Sequence, residues 1–207
     1  SREAAKAIGK NAEEFAIHVK CLDFAAHDPR AYNAGAVSFA TSARGACHLS
    51  GLSHAFERAL IAPEIDIPEP MDRFKISGKG ILASKTQDYM SMLDSLEICK
   101  FTLFGGMSIS NFITWYNYVT GEEMDVDRFI KTGERIFNLK RLYNVKCGIS
   151  RKDDFLPPRI LTWKRVGEDL SSNLPHLGTM LGEYYEYRGW SEDGIPSKEK
   201  LVELDIL

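Results

Sequence analysis

The sequence predicts a mainly α-helical fold, and three observations carry that prediction. Apolar residues recur at helical spacing along most of the chain, and residues that cap helix N-termini precede many of these runs. Strand-like alternation over several residues is hard to find. The 207 residues, 44% of them hydrophobic, are enough to bury a full core in one domain or in two packed subdomains, approximately 1–105 and 106–207.

Each predicted helix has its own start signal or apolar stripe. A capping residue at the N-terminus satisfies backbone N–H groups, and a glycine allows the left-handed turn that ends many helices. In chain order the predicted caps and stripes are Asn11 with Glu14 before Phe15, Val19 and Leu22; Ser84 with Gln87 before Tyr89, Leu93 and Leu96; Ser110 before NFITWYNYVT and Gly121; Asp125 before Phe129, Ile136, Leu139, Tyr143 and Gly148; Leu177, Leu181 and Tyr184 or Tyr185 before Gly189; and Ser197 before Leu201 and Leu204.

Two segments do not follow this helical pattern. HDPRAYNAGAVSFATSARGACHLSG is rich in small residues around Asp28, Arg30, Arg44 and His48, which indicates either tight helix packing or close approach to a bound group. SRKDDFLPPRI places two prolines after charged residues, and it is either a surface turn held by local ion pairs or a rigid, positioned segment.

Charge and hydropathy exclude several classes of partner. The net charge of −3 argues against a nucleic-acid partner held by phosphate contacts. No window reaches the roughly 20 apolar residues of a membrane span, which predicts no membrane partner. The first residues lack the order of a signal peptide, and we therefore expect a cytoplasmic protein.

The four cysteines are scattered along the chain. Cys21, Cys47, Cys99 and Cys147 form no CxxC pair, so spacing alone indicates neither a zinc site nor a dithiol redox motif. Taken singly, each is interpreted as a small buried hydrophobic residue.

Four longer blocks change this interpretation when they are taken together. KCLDFAAHDPRAYNAGAVSFATSARGACHLSG, DSLEICKF, RIFNLKRLYNVKCGISRKDDFLPPRI and EYYEYRGWSEDGIPSKEKL resemble, in order, the carboxyl-terminal part of the tungsten-containing aldehyde:ferredoxin oxidoreductase family. The resemblance implies an irregular multi-helix fold like domains 2 and 3 of that family. It also implies that the amino-terminal domain, on which the cofactor lies, is absent from this chain.

The resemblance also implies an activity. Members of the family oxidise aldehydes to carboxylates at a tungsten held by two pterin dithiolenes, and pass electrons through a [4Fe-4S] cluster to ferredoxin. The expected cofactors of the full-length enzyme are therefore tungstopterin, or molybdopterin, and [4Fe-4S], with an aldehyde substrate and ferredoxin as electron acceptor. The isolated chain is expected to bind none of these cofactors and to be inactive without its missing domain or subunit.

The hexapeptide DSLEIC aligns with the family's Asp-x-x-Gly-Leu-Cys motif. By that match Asp94 accepts hydrogen bonds from a pterin ring, Cys99 is a metal ligand of the cluster, and Ile98 belongs to the same cofactor-binding loop. The family usually has glycine where this chain has Glu97, and glutamate where it has Asp23, which is predicted to support the site indirectly.

His48 and Arg44 complete the predicted site. His48 in GACH matches the family's histidine near tungsten, where an imidazole suits proton transfer; the alternative is a buried histidine bonded to a carbonyl. Arg44 either holds a cofactor phosphate or orients its loop, or it pairs with Asp28. The remaining histidines, His18, His27, His54 and His176, are interpreted as structural or exposed.

Two other functions stay open at this point. The helical fold is either part of the enzyme or a non-catalytic interaction module that has lost the cofactor, with Glu97 marking the loss. A third interpretation is a free-standing helical bundle that binds a small ligand near GACH. The aromatic runs WYNYV and EYYEYRGW suit either a homodimer face or the core.

Overall fold

In the computed structural model, which describes residues 1–166 and 172–207, helices dominate and the only named strands form one short antiparallel hairpin. The mainly α prediction is therefore confirmed. The α-helices are α1 (Arg2–Ile8), α2 (Asn33–Thr41), α3 (Ser53–Phe56), α4 (Lys79–Ser95), α5 (Ile109–Thr120), α6 (Val126–Lys146), α7 (Pro158–Thr162), α8 (Leu177–Arg188) and α9 (Lys198–Glu203). The strands are β1 (His18–Val19) and β2 (Leu22–Asp23), and 3-10 helices span Ala12–Phe15, Pro29–Ala31, His48–Ser50, Pro63–Ile65, Lys100–Gly105 and Arg151–Asp153.

Helix α4 is the centre of the fold. It packs against α2, α6 and α8, and most of its residues are buried. Two glycines permit the close contacts: a side chain at Gly133 of α6 would clash with the Asp88 carbonyl oxygen, and one at Gly80 of α4 would lie 2.5 Å from the Tyr184 nitrogen. Two apolar clusters flank this helix, one centred on Phe56, Leu93 and Phe112 and the other on Phe39, Met180 and Tyr184. The division into two subdomains stays a prediction.

A buried ion pair anchors the start of α4. The Lys79 ammonium lies 2.7 Å from Glu57, and both side chains are fully buried. The Glu57 carboxylate also accepts hydrogen bonds from the backbone N–H groups of Ala34 and Gly35, at 2.9 and 3.2 Å. These N–H groups belong to the first turn of α2, where the helix dipole favours a negative charge. One carboxylate therefore fixes α2 relative to α4.

A second buried network holds the carboxyl-terminal half. The Asp154 carboxylate accepts hydrogen bonds from Lys20, Arg141 and Tyr185, at 2.8, 2.9 and 2.6 Å. It thus joins the β-hairpin loop, α6 and α8. SRKDDFLPPRI is therefore a rigid, positioned segment with a buried acid at its centre, and is not a surface turn held by local pairs alone.

Several predicted elements are confirmed with their caps. Helix α6 begins after Asp125, whose carboxylate accepts a hydrogen bond from the Arg128 N–H at 2.7 Å. Helix α9 begins after Ser197 in the same way, and α8 ends at Gly189 in the left-handed conformation. The start and stop signals of these helices lie within a few residues of their ends, so the sequence alone was sufficient to predict them.

The predicted first helix is wrong. Asn11 has a left-handed backbone (φ 64°), so only a 3-10 turn follows it, and Val19 and Leu22 lie on opposite strands of the hairpin. The turn residues Lys20 and Cys21 both have positive φ, 45° and 68°, as a two-residue type I′ turn requires. Phe15, predicted to face the core, is 61% exposed.

Other boundaries and faces also differ from prediction. Helix α4 begins at Lys79 and not at Ser84, whose hydroxyl is buried and donates to the Gly80 carbonyl at 3.0 Å. Helix α5 is capped by Ser108 with Asn111, and not by Ser110. For α5 the residue type was right and a nearby serine has the capping geometry. Helix α4 begins without a side-chain cap of its own, and Glu183 of α8 accepts hydrogen bonds from the Gly78 and Gly80 N–H groups at its start.

Two expectations about burial are corrected. The apolar stripe predicted on α6 packs into the core only in part, because Phe129 is buried whereas Leu139 and Tyr143 are exposed. Three of the cysteines (Cys21, Cys99 and Cys147) are exposed and Cys47 is half-buried, so they are not small core residues. Of the aromatic runs, EYYEYRGW places Tyr184, Tyr185 and Trp190 in the core, whereas Trp115 and Tyr118 of WYNYV are exposed.

We predict that Asp154→Asn lowers the free energy of unfolding by about 3 kcal/mol, because it leaves Lys20 and Arg141 buried without their counter-charge. Urea denaturation followed by circular dichroism measures the loss. Asp193→Asn, the same change at an exposed position, is the control and should change stability little. Equal effects of the two substitutions would show that the buried network is not important for stability.

Candidate functional site

The DSLEIC loop is the turn that ends helix α4. The Ile98 N–H donates to the Leu93 carbonyl at 2.9 Å and the Glu97 N–H donates to the Asp94 carbonyl at 3.3 Å, which together are the two bonds of a Schellman motif. Glu97 has a left-handed backbone, with φ of 56°. Glycine adopts this conformation most readily, so the backbone explains the glycine of the motif that the loop resembles. Glu97 adopts the conformation that such a loop needs.

The side chains of the loop divide into an inner and an outer set. Ile98 is half-buried against the apolar cluster around Leu93 and anchors the loop. Asp94, Glu97 and Cys99 are exposed. Cys99 precedes the 3-10 helix Lys100–Gly105, and its carbonyl accepts hydrogen bonds from the Thr102 backbone and hydroxyl. A thiol and a carboxylate are thus presented on one rigid turn.

Lys100 joins this loop to the segment that carries His48. Its ammonium lies 2.8 Å from the Asp94 carboxylate and donates to the Leu49 carbonyl at 2.6 Å. The Lys100 side chain is only 8% exposed and that of Asp94 is 47% exposed, so the contact is shielded from solvent on the lysine side only. Sequence reasoning missed this role, although Lys100 directly follows the cysteine of the motif. The structure therefore brings Asp94 close to the His48 segment through one lysine.

His48 belongs to a cluster of three imidazoles. The ring centroid of His27 lies 4.6 Å from that of His48 and 4.3 Å from that of His54. Burial, together with the nearby His27, Arg44 and Lys100, lowers the pKa of His48 below its usual value. Burial and the two other imidazoles lower the pKa of His54 to about 4. His27 and His54 were interpreted as structural or exposed, and their contact with His48 was not foreseen, because the three rings come from separate segments: a loop, the 3-10 helix His48–Ser50 and helix α3.

Arg44 faces a cleft and not Asp28. The Asp28 carboxylate instead lies 2.8 Å from Arg30 and 3.5 Å from Arg165. Arg44 is exposed and lines a cleft of about 530 Å³ together with Asp94 and Lys140. The cleft lies beside the DSLEIC loop, so Arg44 and Asp94 share one surface.

Asp23 is more peripheral. It ends strand β2, is exposed, and contacts Ser1. Over the described ranges, 1–166 and 172–207, no three His, Cys, Asp or Glu side chains are grouped so that they could hold a metal ion. Nor does any helix in those ranges have the length and apolar character to cross a membrane.

Comparison with known proteins gives the class of this chain. The family model for domains 2 and 3 of aldehyde ferredoxin oxidoreductase matches residues 1–206. Two tungsten-containing aldehyde ferredoxin oxidoreductases are similar to this chain: that of Pyrococcus furiosus is 35% identical and that of Thermococcus kodakarensis 34% identical, each over 196 residues. The aligned residues are 93% of this chain and 31% of each relative. The fold and these matches define an oxidoreductase-type helical domain. The chain belongs to the aldehyde ferredoxin oxidoreductase family.

More distant relatives have the same extent of match. The aliphatic sulfonate oxidoreductase, WOR-like subunit, of Pyrococcus furiosus is 26% identical over 209 residues, 96% of this chain and 29% of the relative. The active-site complex BamBC of benzoyl coenzyme A reductase, solved with 1,5-dienoyl-CoA, superposes with a TM-score of 0.66 at 22% identity, over 98% of this chain and 35% of that chain. The latter likeness concerns the fold alone. The chain spans about a third of the length of the curated relatives it matches.

We predict that Glu97→Gly raises the free energy of unfolding by about 1 kcal/mol, because glycine adopts the positive φ at this position without steric conflict. Chemical denaturation measures the change. Glu97→Ala is the matched control, since it removes the same charge but keeps a Cβ atom, and it should give no comparable gain. A gain of equal size for alanine would assign the effect to charge and not to the backbone.

We also predict a pH dependence that originates in His54. The unfolded chain titrates this imidazole near pH 6.5, whereas the folded chain holds its pKa at about 4, so the unfolded state binds more protons between these values. The stabilisation that this linkage contributes should therefore be fully present above pH 6.5, and the free energy of unfolding should fall as the pH drops toward 4. His54→Gln should flatten that fall in thermal unfolding measured at several pH values, while His176→Gln, at an exposed histidine, should retain it. An unchanged slope for His54→Gln would contradict the assignment.

Proposed function

We propose that this chain is the helical, cofactor-covering part of a tungsten-pterin enzyme that oxidises an aldehyde to a carboxylate. The observation that supports this most strongly is the DSLEIC loop, because a non-glycine residue there still adopts the left-handed turn. The loop thus has a turn that suits the glycine of the family's motif, and it exposes Asp94 and Cys99. Membership of the family and the tungsten-containing relatives agree with the proposal.

The donors on this loop fit the chemistry of the proposed cofactors. A carboxylate offers two acceptor oxygens to the N–H groups of a pterin ring, and Asp94, 47% exposed, has one side open to such a ring. Cysteine sulfur is the ligand that iron–sulfur clusters take from proteins, and Cys99 supplies an exposed thiol. Ile98 would hold the loop against the core, and Arg44 would face an anionic group of the cofactor. When bound, the tungsten-pterin and the [4Fe-4S] cluster supply the two-electron oxidation and the onward electron transfer.

His48 is proposed as the catalytic group of this chain. Its lowered pKa keeps the ring neutral near pH 7, so the imidazole can donate one N–H and accept a proton at its other nitrogen. His27, at 4.6 Å between ring centroids, restricts the orientation of the His48 ring. We propose that His48 binds and protonates an oxygen of the substrate or product, and that His27 and His54 position it.

The rest of the assembly is proposed from family membership. The remaining cluster ligands and the base on which the pterin lies would come from an amino-terminal domain or a partner subunit. Ferredoxin is the proposed electron acceptor, molybdenum is the alternative metal, and the exposed Trp115 and Tyr118 would suit a homodimer face. The isolated 207-residue chain is proposed to be inactive.

A non-catalytic interaction module is the second candidate. The observation that favours it is the exposed negative charge of Glu97, between Asp94 and Cys99, where an anionic pterin and a cluster would bind. Metal analysis of the full-length protein separates the two functions. Tungsten with about four irons per chain, and aldehyde-dependent reduction of a viologen dye, support the enzyme; a clean lack of both metals supports the module.

We predict that Cys99→Ser in the full-length protein abolishes assembly of the cluster, because a hydroxyl is a poor ligand for iron in such clusters. Iron content and the visible absorption of the cluster measure the effect. Cys147→Ser, at another exposed cysteine beyond the end of α6, is the matched control and should retain about four irons per chain. A Cys99→Ser protein with a complete cluster would remove this residue from the site.

A further inference from the structure

The cleft beside the DSLEIC loop carries more positive than negative charge. Arg44, Lys100 and Lys140 lie close enough to act on one another electrostatically, and Asp94 is the acid among them. Lys100 pairs with Asp94 at 2.8 Å. Within the ranges that the structure describes, neither Arg44 nor Lys140 has a carboxylate within ion-pair distance. Among the described residues these two cations therefore have no ion-pair partner, and Asp94 acts on Lys140 only from a longer distance.

The cleft also has a rigid frame and an apolar wall. The Asn144 amide of α6 donates to the Ala43 carbonyl at 2.7 Å and thereby ties the Arg44 loop to α6. Phe137, Leu139 and Tyr143 line the space between them, and most of the lining surface is apolar. A volume of about 530 Å³ is in the range of pockets that take small organic ligands. A fixed apolar cleft with two unpaired cations favours a ligand that has both an organic body and an anionic group.

We infer that this cleft binds an organic oxyanion, with Arg44 and Lys140 holding its carboxylate or phosphate and the apolar wall packing its carbon skeleton. A guanidinium binds either group through two parallel hydrogen bonds, and the ammonium adds a second positive charge. Partial burial lowers the pKa of Lys140; among its charged neighbours Asp94 raises that pKa, while Lys100 and Arg44 lower it, so a bound anion would offset the repulsion from these two cations. Lys140 thus becomes a binding residue that neither the motif nor the family match had assigned.

The inference rests on the proposed function only for the source of the anion. A carboxylate would come from the product of aldehyde oxidation or from an acidic aldehyde, and a phosphate would come from the cofactor or another organophosphate. Both sources share the chemistry of an oxyanion attached to an organic body. Benzoate and phenyl phosphate, which have the same aromatic body, distinguish them.

The test is an NMR titration of the 207-residue chain, followed at the backbone amides of Ala43, Tyr143 and Asn144. Benzoate or phenyl phosphate should shift these amides, and the tighter of the two identifies the source. Benzyl alcohol lacks the charge and inorganic phosphate lacks the organic body, so each should bind about tenfold more weakly than the tighter ligand. Arg44→Gln and Lys140→Gln should each weaken binding of that ligand about tenfold.

Lys146→Gln is the matched control, since this lysine lies on the same helix but does not line the cleft, and its affinity should equal that of the unaltered chain. Equal binding of benzyl alcohol, equal binding of inorganic phosphate, no loss in the Arg44 and Lys140 variants, or no shift with any ligand would overturn the inference. The measurement needs no tungsten or iron. Its failure would therefore leave the proposed function to be decided by metal content alone.

Discussion

The close approach of α6 and α8 to helix α4 is the constraint on which the structure depends. Gly133 and Gly80 lie where the backbones come nearest, and no larger residue would fit at either position without displacing a helix. Because α4 is enclosed on several sides, its last turn has a fixed place and direction. That turn carries the Asp94 carboxylate, and the Cys99 thiol lies just beyond it, at the start of the 3-10 helix Lys100–Gly105. The geometry of the candidate site is thus a consequence of helix packing some distance away.

Charges in this protein fall into two groups with different surroundings. Glu57 with Lys79, Asp88 with Arg188, and Asp154 with Arg141 are buried in pairs at 2.6 to 2.8 Å. Buried pairs of this kind add little net stability over apolar residues, but breaking one leaves an uncompensated charge, so they restrict how the helices can be arranged. Arg44, Glu97 and Lys140 are exposed. The scaffold therefore satisfies its own charges, and those at the candidate site are open to a ligand.

Local signals explain which parts of the fold could be predicted. Asp125 and Ser197 cap their helices through contacts three residues away, and such contacts can be recognised in the sequence alone. The region of Asn11 and Val19 could not, because its apolar spacing suits a helix while the left-handed Lys20 and Cys21 make it a hairpin. Ser84 is a good capping residue that lies inside α4, where its carbonyl accepts a hydrogen bond from Arg188 of α8. Tertiary contacts override local preference at these positions.

The candidate site shows the same division. The motif match predicted Asp94 and Cys99 on a single loop at the end of a helix, and the structure adds how Lys100 connects that loop to the His48 segment. No spacing rule could have joined Lys100 to Leu49, or His27 to His54, because each contact links segments that are distant in sequence. Glu97 is the most instructive position, because in the sequence alone it is a departure from the glycine that the family's motif usually has there. The left-handed backbone of Glu97 is one that glycine also adopts, so the substitution adds a surface charge without needing a different turn, and its effect depends on the electrostatics of what binds there.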